Sequence, residues 1–163
     1  MSYPEPSYTG DGGEVSARFR RASEPPELPY HSGNAVHYLA TGASTGGRFG
    51  LYRWDFAATP SGPGPHFHRS LSESFFILSG TVRLYNGKEW VDSTAGDYCY
   101  VPEGGIHGFR NESGEQASML ILFAPGAPRE EYFETLGELA AGTVTMTEEE
   151  RLEFYLRHDN IWV

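Results

Sequence analysis

The sequence predicts an all-β domain built as a sandwich or barrel. Short runs of aromatic and β-branched residues recur from Ala35 to Phe123. Turn signals separate these runs at the roughly 8–12-residue spacing of sandwiches and barrels. Gly and Pro together make 31 residues (20 plus 11), about a fifth of the chain against an ordinary share of roughly 12%. Such turn-rich, aromatic-rich chains favour strands over a helical bundle.

The elements follow in order. Residues 1–34 are rich in Pro, Ser, Gly, Glu and Tyr and read as an irregular arm packing on the barrel, with a short strand around 14–20. Pro25, Pro26 and Pro29 forbid a helix there. Strands are expected over 35–41, 48–57, 73–78, 81–85, 88–91, 98–101, 106–110 and 117–123. Asn86-Gly87 is the strongest short hairpin signal available, and 111–115 (NESGE) is a second turn. The barrel therefore occupies 35–125 and the C-terminal helices 126–163. Glu130 to Ala141 sets Tyr132, Phe133, Leu136, Leu139 and Ala140 on one helical stripe. Thr147 and Glu150 form a capping box that opens a second helix over about 148–157, with Leu152, Tyr155 and Leu156 as its apolar face. The acidic run Glu148 to Glu150 suits a helix N-terminus.

Composition excludes several function classes. A chain of 163 residues fits one domain. The net charge is −10 with no offsetting Lys/Arg cluster, so neither nucleic acid nor an anionic membrane surface is an expected partner. No apolar run approaches the roughly 20 residues of a membrane span. One cysteine, Cys99, excludes an internal disulfide framework, and the N-terminus lacks a basic-then-apolar signal pattern. A cytoplasmic location is expected.

Chemistry concentrates in two stretches. The first reads HFHRSLSESFFILSG from His66 to Gly80. His66 and His68 are two apart, so an extended chain puts both rings on one face with backbones about 6.6 Å apart. Both can then reach one ion at roughly 2.0–2.1 Å. Glu73 has an odd offset from His68, so the chain must bend within 69–72 for Glu73 to face inward beside Phe75 and Ile77. The second stretch reads GDYCYVPEGGIHGFRN from Gly96 to Asn111. If its strand lies beside the one holding His66 and His68, His107 becomes a third nitrogen ligand. Three imidazoles and one carboxylate suit a single divalent transition ion, Fe, Mn, Ni, Co or Zn, and suit calcium poorly. Four protein ligands leave two positions of an octahedral ion open for chemistry.

These stretches resemble the two signature motifs of the cupin superfamily. His66, His68, Glu73 and Gly80 match G-x5-H-x-H-x(3,4)-E-x6-G, except that Pro60 stands where the leading glycine falls. Gly96, Pro102, Gly104, His107 and Asn111 match G-x5-P-x-G-x2-H-x3-N throughout. The resemblance implies a conical β barrel (a double-stranded β-helix or jelly roll) with the metal inside its mouth and a short C-terminal helical extension. The tail REEYFETLGELA and the acidic second helix resemble the quercetinase-like single-cupin proteins of bacteria. That likeness implies a dioxygenase of a small enolisable or phenolic, flavonol-like compound, with Glu73 taking the substrate's proton, and a homodimer. Isomerisation, cyclisation or decarboxylation at the same metal is the alternative chemistry. A non-catalytic cupin that binds a small ligand is the alternative class.

Other residues have plainer readings. The four candidate ligands could be ordinary polar barrel lining, but burying them without a partner is costly. His31 is expected exposed in the arm, His37 outward on a strand and His158 solvated. Cys99 reads as an inert thiol. Tyr52, Trp54, Phe56 and Phe123 read as core. Phe75 and Phe109, each two residues beyond a candidate ligand, are the substrate-pocket candidates. Arg53 and Arg110 fit a substrate carboxylate or solvated surface charge, and Asn111 a turn.

Overall fold

The computed structural model describes residues 2–163. Eleven strands and two helices form among them: β1 (Leu28–Pro29), β2 (Ala35–Ala40), β3 (Gly50–Phe56), β4 (His66–Phe67), β5 (Ser72–Ser79), β6 (Thr81–Tyr85), β7 (Trp90–Thr94), β8 (Tyr98–Val101), β9 (Gly108–Arg110), β10 (Ala117–Ala124), α1 (Glu130–Ala141), α2 (Glu148–Arg157) and β11 (Ile161–Trp162). An antiparallel six-stranded sheet runs β1-β2-β3-β10-β5-β8, and a three-stranded sheet runs β7-β6-β9. The short pair β11-β4 is the third sheet. The all-β jelly-roll expectation holds.

Alternation along the strands builds the core. In β3 the inward residues are Gly50, Tyr52, Trp54 and Phe56, and in β10 they are Ala117, Met119, Ile121 and Phe123. Val82 and Leu84 of β6 face them from the smaller sheet. Phe109 of β9 closes the gap between the sheets. Its ring centroid lies 6.0 Å from Trp54, 6.0 Å from Phe56 and 5.6 Å from Phe75, within aromatic packing range.

Both helices form where their caps place them. Gly142 ends α1 in the left-handed conformation, and the Thr147–Glu150 capping box opens α2. The inner face of α2 differs from the expected one. Leu152 and Leu156 are exposed, while Phe154 is buried in a stack on Tyr132 of α1, 5.4 Å away. Tyr155, the third residue of the expected face, is half-buried against Trp162 of β11, so the inner face runs through Phe154 and Tyr155.

The arm also departs from expectation. No strand forms at 14–20, and residues 2–19 are exposed. Contact with the barrel begins at Glu27, whose carboxylate accepts from the Tyr38 amide at 2.8 Å, and continues through β1 and the Tyr30 hydroxyl, which donates to the Phe133 carbonyl. The earlier segment offers no alternating apolar pattern long enough to bury. Met1 lies outside the described residues.

Gly80 makes the step from β5 to β6 with φ +71°. A Cβ there would stand 2.4 Å from the Gln116 carbonyl oxygen and 2.8 Å from the Ala117 Cα. Gly80→Ala is therefore expected to destabilise the fold by about 1–3 kcal/mol, through positive φ and backbone collision together. Urea denaturation checks this. An unchanged midpoint would show that the turn can rearrange freely.

Candidate metal centre

The site begins with a backbone pair. His66 and His107 face each other across an antiparallel bridge, each amide donating to the other's carbonyl at 2.8 Å. This sets the second histidine-bearing stretch directly beside the first. His68 follows on the same side as His66, and its carbonyl accepts from the Gly104 amide at 2.7 Å. The chain then bends, as the odd offset to Glu73 requires. The Asp159 carboxylate forms the bend by accepting from the Arg69 amide at 2.9 Å and from the Ser70 amide and hydroxyl at 2.7 Å each. Leu71 anchors it from inside, 1% exposed. Glu73 emerges inward on β5, between Phe123 of β10 and Val101 of β8.

One ligand atom from each of His66, His68, Glu73 and His107 falls within 4.8 Å of the others, and all four residues are buried. Glu73 Oε2 lies 3.0 Å from His68 Nε2 and 2.7 Å from His107 Nε2. The outer nitrogens are all engaged. Nδ1 of His66 and of His107 each lies 2.9 Å from a backbone carbonyl, of Gly64 and Gly105 respectively, and Nδ1 of His68 faces the Asp159 carbonyl. A carbonyl only accepts, so each Nδ1 carries its hydrogen and each neutral Nε2 presents a lone pair to the centre. Three such lone pairs and a carboxylate converge in the buried interior. Only positive charge, from a proton or a metal cation, makes that arrangement favourable. The donor set therefore fits a divalent transition ion, with every histidine oriented from behind.

With no ion in place, a proton supplies the positive charge and is shared between Glu73 and His107. Burial alone would raise the Glu73 pKa, but the charge and hydrogen bonds of His107 and His68 hold it well below the usual carboxylate range. Burial would lower His107, but Glu73 raises it on balance. His66 is pushed down to about 4 by burial and by His107.

A cavity of about 440 Å³ opens onto Glu73 and His66. Trp54, Phe109, Phe123 and Phe133 supply flat apolar wall. Phe109 thus stands on the cavity. Phe75 stands behind it in the core, against His107 at 5.9 Å, and is not among the lining residues.

The family model for the cupin domain matches residues 53–123, the segment holding all four clustered side chains. The chain belongs to the cupin superfamily. This cupin is 28% identical over 89 residues to quercetin 2,3-dioxygenase of Bacillus subtilis, covering 55% of this chain and 26% of that enzyme. It is 34% identical over 61 residues to an uncharacterized protein of Aquifex aeolicus, covering 37% of this chain and 50% of that one. The cupin therefore spans a quarter to a half of the length of these curated relatives. The solved structure of an RmlC-like cupin from Shewanella frigidimarina superposes with a TM-score of 0.58 at 19% identity, over 72% of this chain and 96% of that one. That likeness is one of fold.

Other polar residues take their places away from the cluster. His31 is exposed. His37 stands on the outer face of β2 with Arg53 and Asp55 of β3, and it is buried there because Asp55 at 3.0 Å and Arg53 at 2.6 Å cover its ring. His158 is not solvated as expected: its ring packs on Tyr132 and Phe154, and burial lowers its pKa. Cys99 is half-buried, and burial pushes its thiol pKa up, away from nucleophilic use. Arg53 is taken by His37 and Asp55. Arg110 lies over Trp90 beside Glu112. Asn111 holds its turn through Ala57, Ser113 and Glu115. No described helix is long and apolar enough to cross a membrane.

Sequence reasoning missed two contributors from the tail, Asp159 and Trp162. Asp159 sits at φ +53°, and Trp162 of β11 pairs with His66 and packs at a tilt against its ring, 5.2 Å between centres. A polar Asp-Asn pair just past a helix is a fair signal for a left-handed residue, but nothing local says which loop it clips.

Two predictions follow from the geometry. In metal-free protein the His66 ring is expected to stay neutral down to about pH 4. The unfolded chain takes up that proton near pH 6.5, so stability from this group is lost as pH falls from about 6.5 to about 4. NMR titration of the ring reads it directly, and a midpoint near 6.5 would contradict the burial argument. Asp159→Ala should weaken metal retention by about 10–100-fold, the usual scale for groups that orient a ligand. Competition with a chelator measures this, and unchanged retention would leave the Asp159 carboxylate no part in placing Glu73.

Proposed function

We propose that the protein is a metal-dependent cupin enzyme, a dioxygenase acting on a small enolisable or phenolic compound. The observation that carries this reading is the buried convergence of three Nε2 lone pairs and one carboxylate on the floor of an aromatic cavity. His66, His68, Glu73 and His107 would hold one divalent transition ion. Such an ion, when bound, polarises a substrate oxygen and, if redox-active, exchanges electrons with dioxygen. Similarity to quercetin 2,3-dioxygenase over 55% of this chain supports the oxygenase form.

The chain's own groups supply the rest. Glu73 is the proposed base: it reaches both the cluster and the cavity, and it is held ionised. A substrate hydroxyl entering beside it gives its proton to the carboxylate. Trp54, Phe109 and Phe133 present faces and edges to a flat ring and keep water from the reacting oxygen. A cytoplasmic homodimer is the proposed setting, which size-exclusion chromatography and cell fractionation test.

Glu73→Gln keeps the shape and removes the charge. Turnover is expected to fall at least about 100-fold, the scale of lost general-base catalysis, with weaker metal retention. Full activity would remove Glu73 from the mechanism. Elemental analysis of protein purified without added metal should show iron, manganese, nickel or cobalt near one per chain. Oxygen-electrode traces with quercetin then decide the reaction class. Product formed without oxygen uptake would favour isomerisation, cyclisation or decarboxylation. Metal-free protein that binds its ligand unimpaired would favour a non-catalytic binder.

A further inference from the structure

The cavity wall carries polar groups that the metal cluster does not use. Arg129, just before α1, is 3% exposed. Its guanidinium carbon lies 4.3 Å from the Tyr132 ring centre, 5.0 Å from that of Phe123 and 5.7 Å from that of Phe133. Nη1 donates to the His158 carbonyl at 2.7 Å, and Nε is buried with no partner. No carboxylate is within ion-pair distance of it among the described residues. Glu73, the acid sharing the cavity, has its Oε2 held by His68 and His107. A guanidinium stays charged in proteins, so Arg129 is a buried cation lacking a counter-charge.

Two further donors share the cavity. Asn160, 1% exposed, has Nδ2 buried without a partner, and Trp54 Nε1 is in the same position. Buried donors are nearly always paired, so three lining residues of one cavity that each carry an unpaired donor point to a group that belongs there. It is rich in acceptors and negatively charged. With Nη1 engaged on a carbonyl and no carboxylate paired to it, the guanidinium still has charge and donors to offer a ligand carboxylate. The aromatic walls require a flat apolar body attached to it, and about 440 Å³ accommodates a small molecule.

We propose that the substrate is a phenolic or enolic carboxylic acid, whose carboxylate docks on Arg129 and Asn160 while its hydroxyl is presented to Glu73. This rests on the functional reading above for the hydroxyl end and on the unpaired donors for the acid end. Arg129 acts here as a binding and specificity residue.

The test is calorimetric titration of the full chain, metal-loaded and metal-stripped, with para-hydroxybenzoate and its neutral isostere para-hydroxybenzamide. The wild type is expected to bind the acid at least about tenfold more tightly than the amide, as a charge-assisted pair implies. Arg129→Gln should erase the preference by weakening the acid alone, and Arg129→Lys should restore part of it. Should Arg129→Gln fail to fold, Asn160→Leu carries the test and should narrow the preference. Equal binding of both probes, binding of neither, or a preference indifferent to the variant that folds would overturn the proposal. The stripped protein separates this proposal from the metal reading. A preference that vanishes with the ion would put the carboxylate on the ion and overturn the assignment to Arg129. A preference that persists after stripping supports Arg129, whereas failure of the loaded protein to hold an ion through dialysis would sink the metal reading alone and leave this one standing.

Discussion

Three imidazole nitrogens and a carboxylate oxygen meet inside the barrel with their lone pairs aimed at one another. In water such groups would each be solvated; in an apolar interior they repel unless positive charge sits among them. The rest of the structure meets that demand in definite ways. Backbone carbonyls behind the rings fix the tautomer in which every Nε2 is free. His107 and His68 keep Glu73 ionised despite its burial. His66, pushed toward the neutral form, stays a ligand rather than becoming a competing cation.

The backbone delivers this cluster by pairing, with little reliance on side-chain freedom. The bridge between His66 and His107 is an isolated pair of reciprocal backbone hydrogen bonds, and the two residues cannot separate without breaking it. Glu73 depends on a bend, and the bend depends on Asp159, 86 positions later in sequence (159 minus 73). The same Asp159 offers its carbonyl to His68. The tail after α2 is thus a working part of the centre as well as a cover over it. β11, two residues long, persists because it completes β4 and packs Trp162 against His66.

What was legible in the sequence divides along the same line. The strand pattern, both helices and the four clustered residues could all be read, because alternation, caps and short ligand spacings are local signals. Even the bend between His68 and Glu73 was demanded by parity alone. The tail's share was not legible. A two-residue strand carries no periodic signal, and the pairing of Trp162 with His66 is decided by tertiary packing. The exposed Leu152 and Leu156 misled for a related reason: helical periodicity names an apolar face without naming what it meets. Arg129 gave no warning, since an arginine beside a helix start ordinarily reads as solvated.

Arg129 is also the residue that fold stability explains least. A buried cation that holds a single carbonyl and rests on aromatic faces has lost most of its hydration, and apolar residues of similar volume often replace buried ionic groups at no cost in stability. Its position does have a chemical logic. Arg129, Asn160 and Asp159 belong to the same C-terminal extension, and the first two face the cavity while the third sets His68. A ligand that pairs with Arg129 and Asn160 would order the segment that fixes His68. Binding at the acid end and geometry at the cluster would then be linked through one short stretch of chain, with no large motion required. A barrel lacking that stretch would keep the His66–His107 bridge but not the Asp159 contacts that form the bend before Glu73. It would lose both the hold on His68 and the wall that discriminates charge.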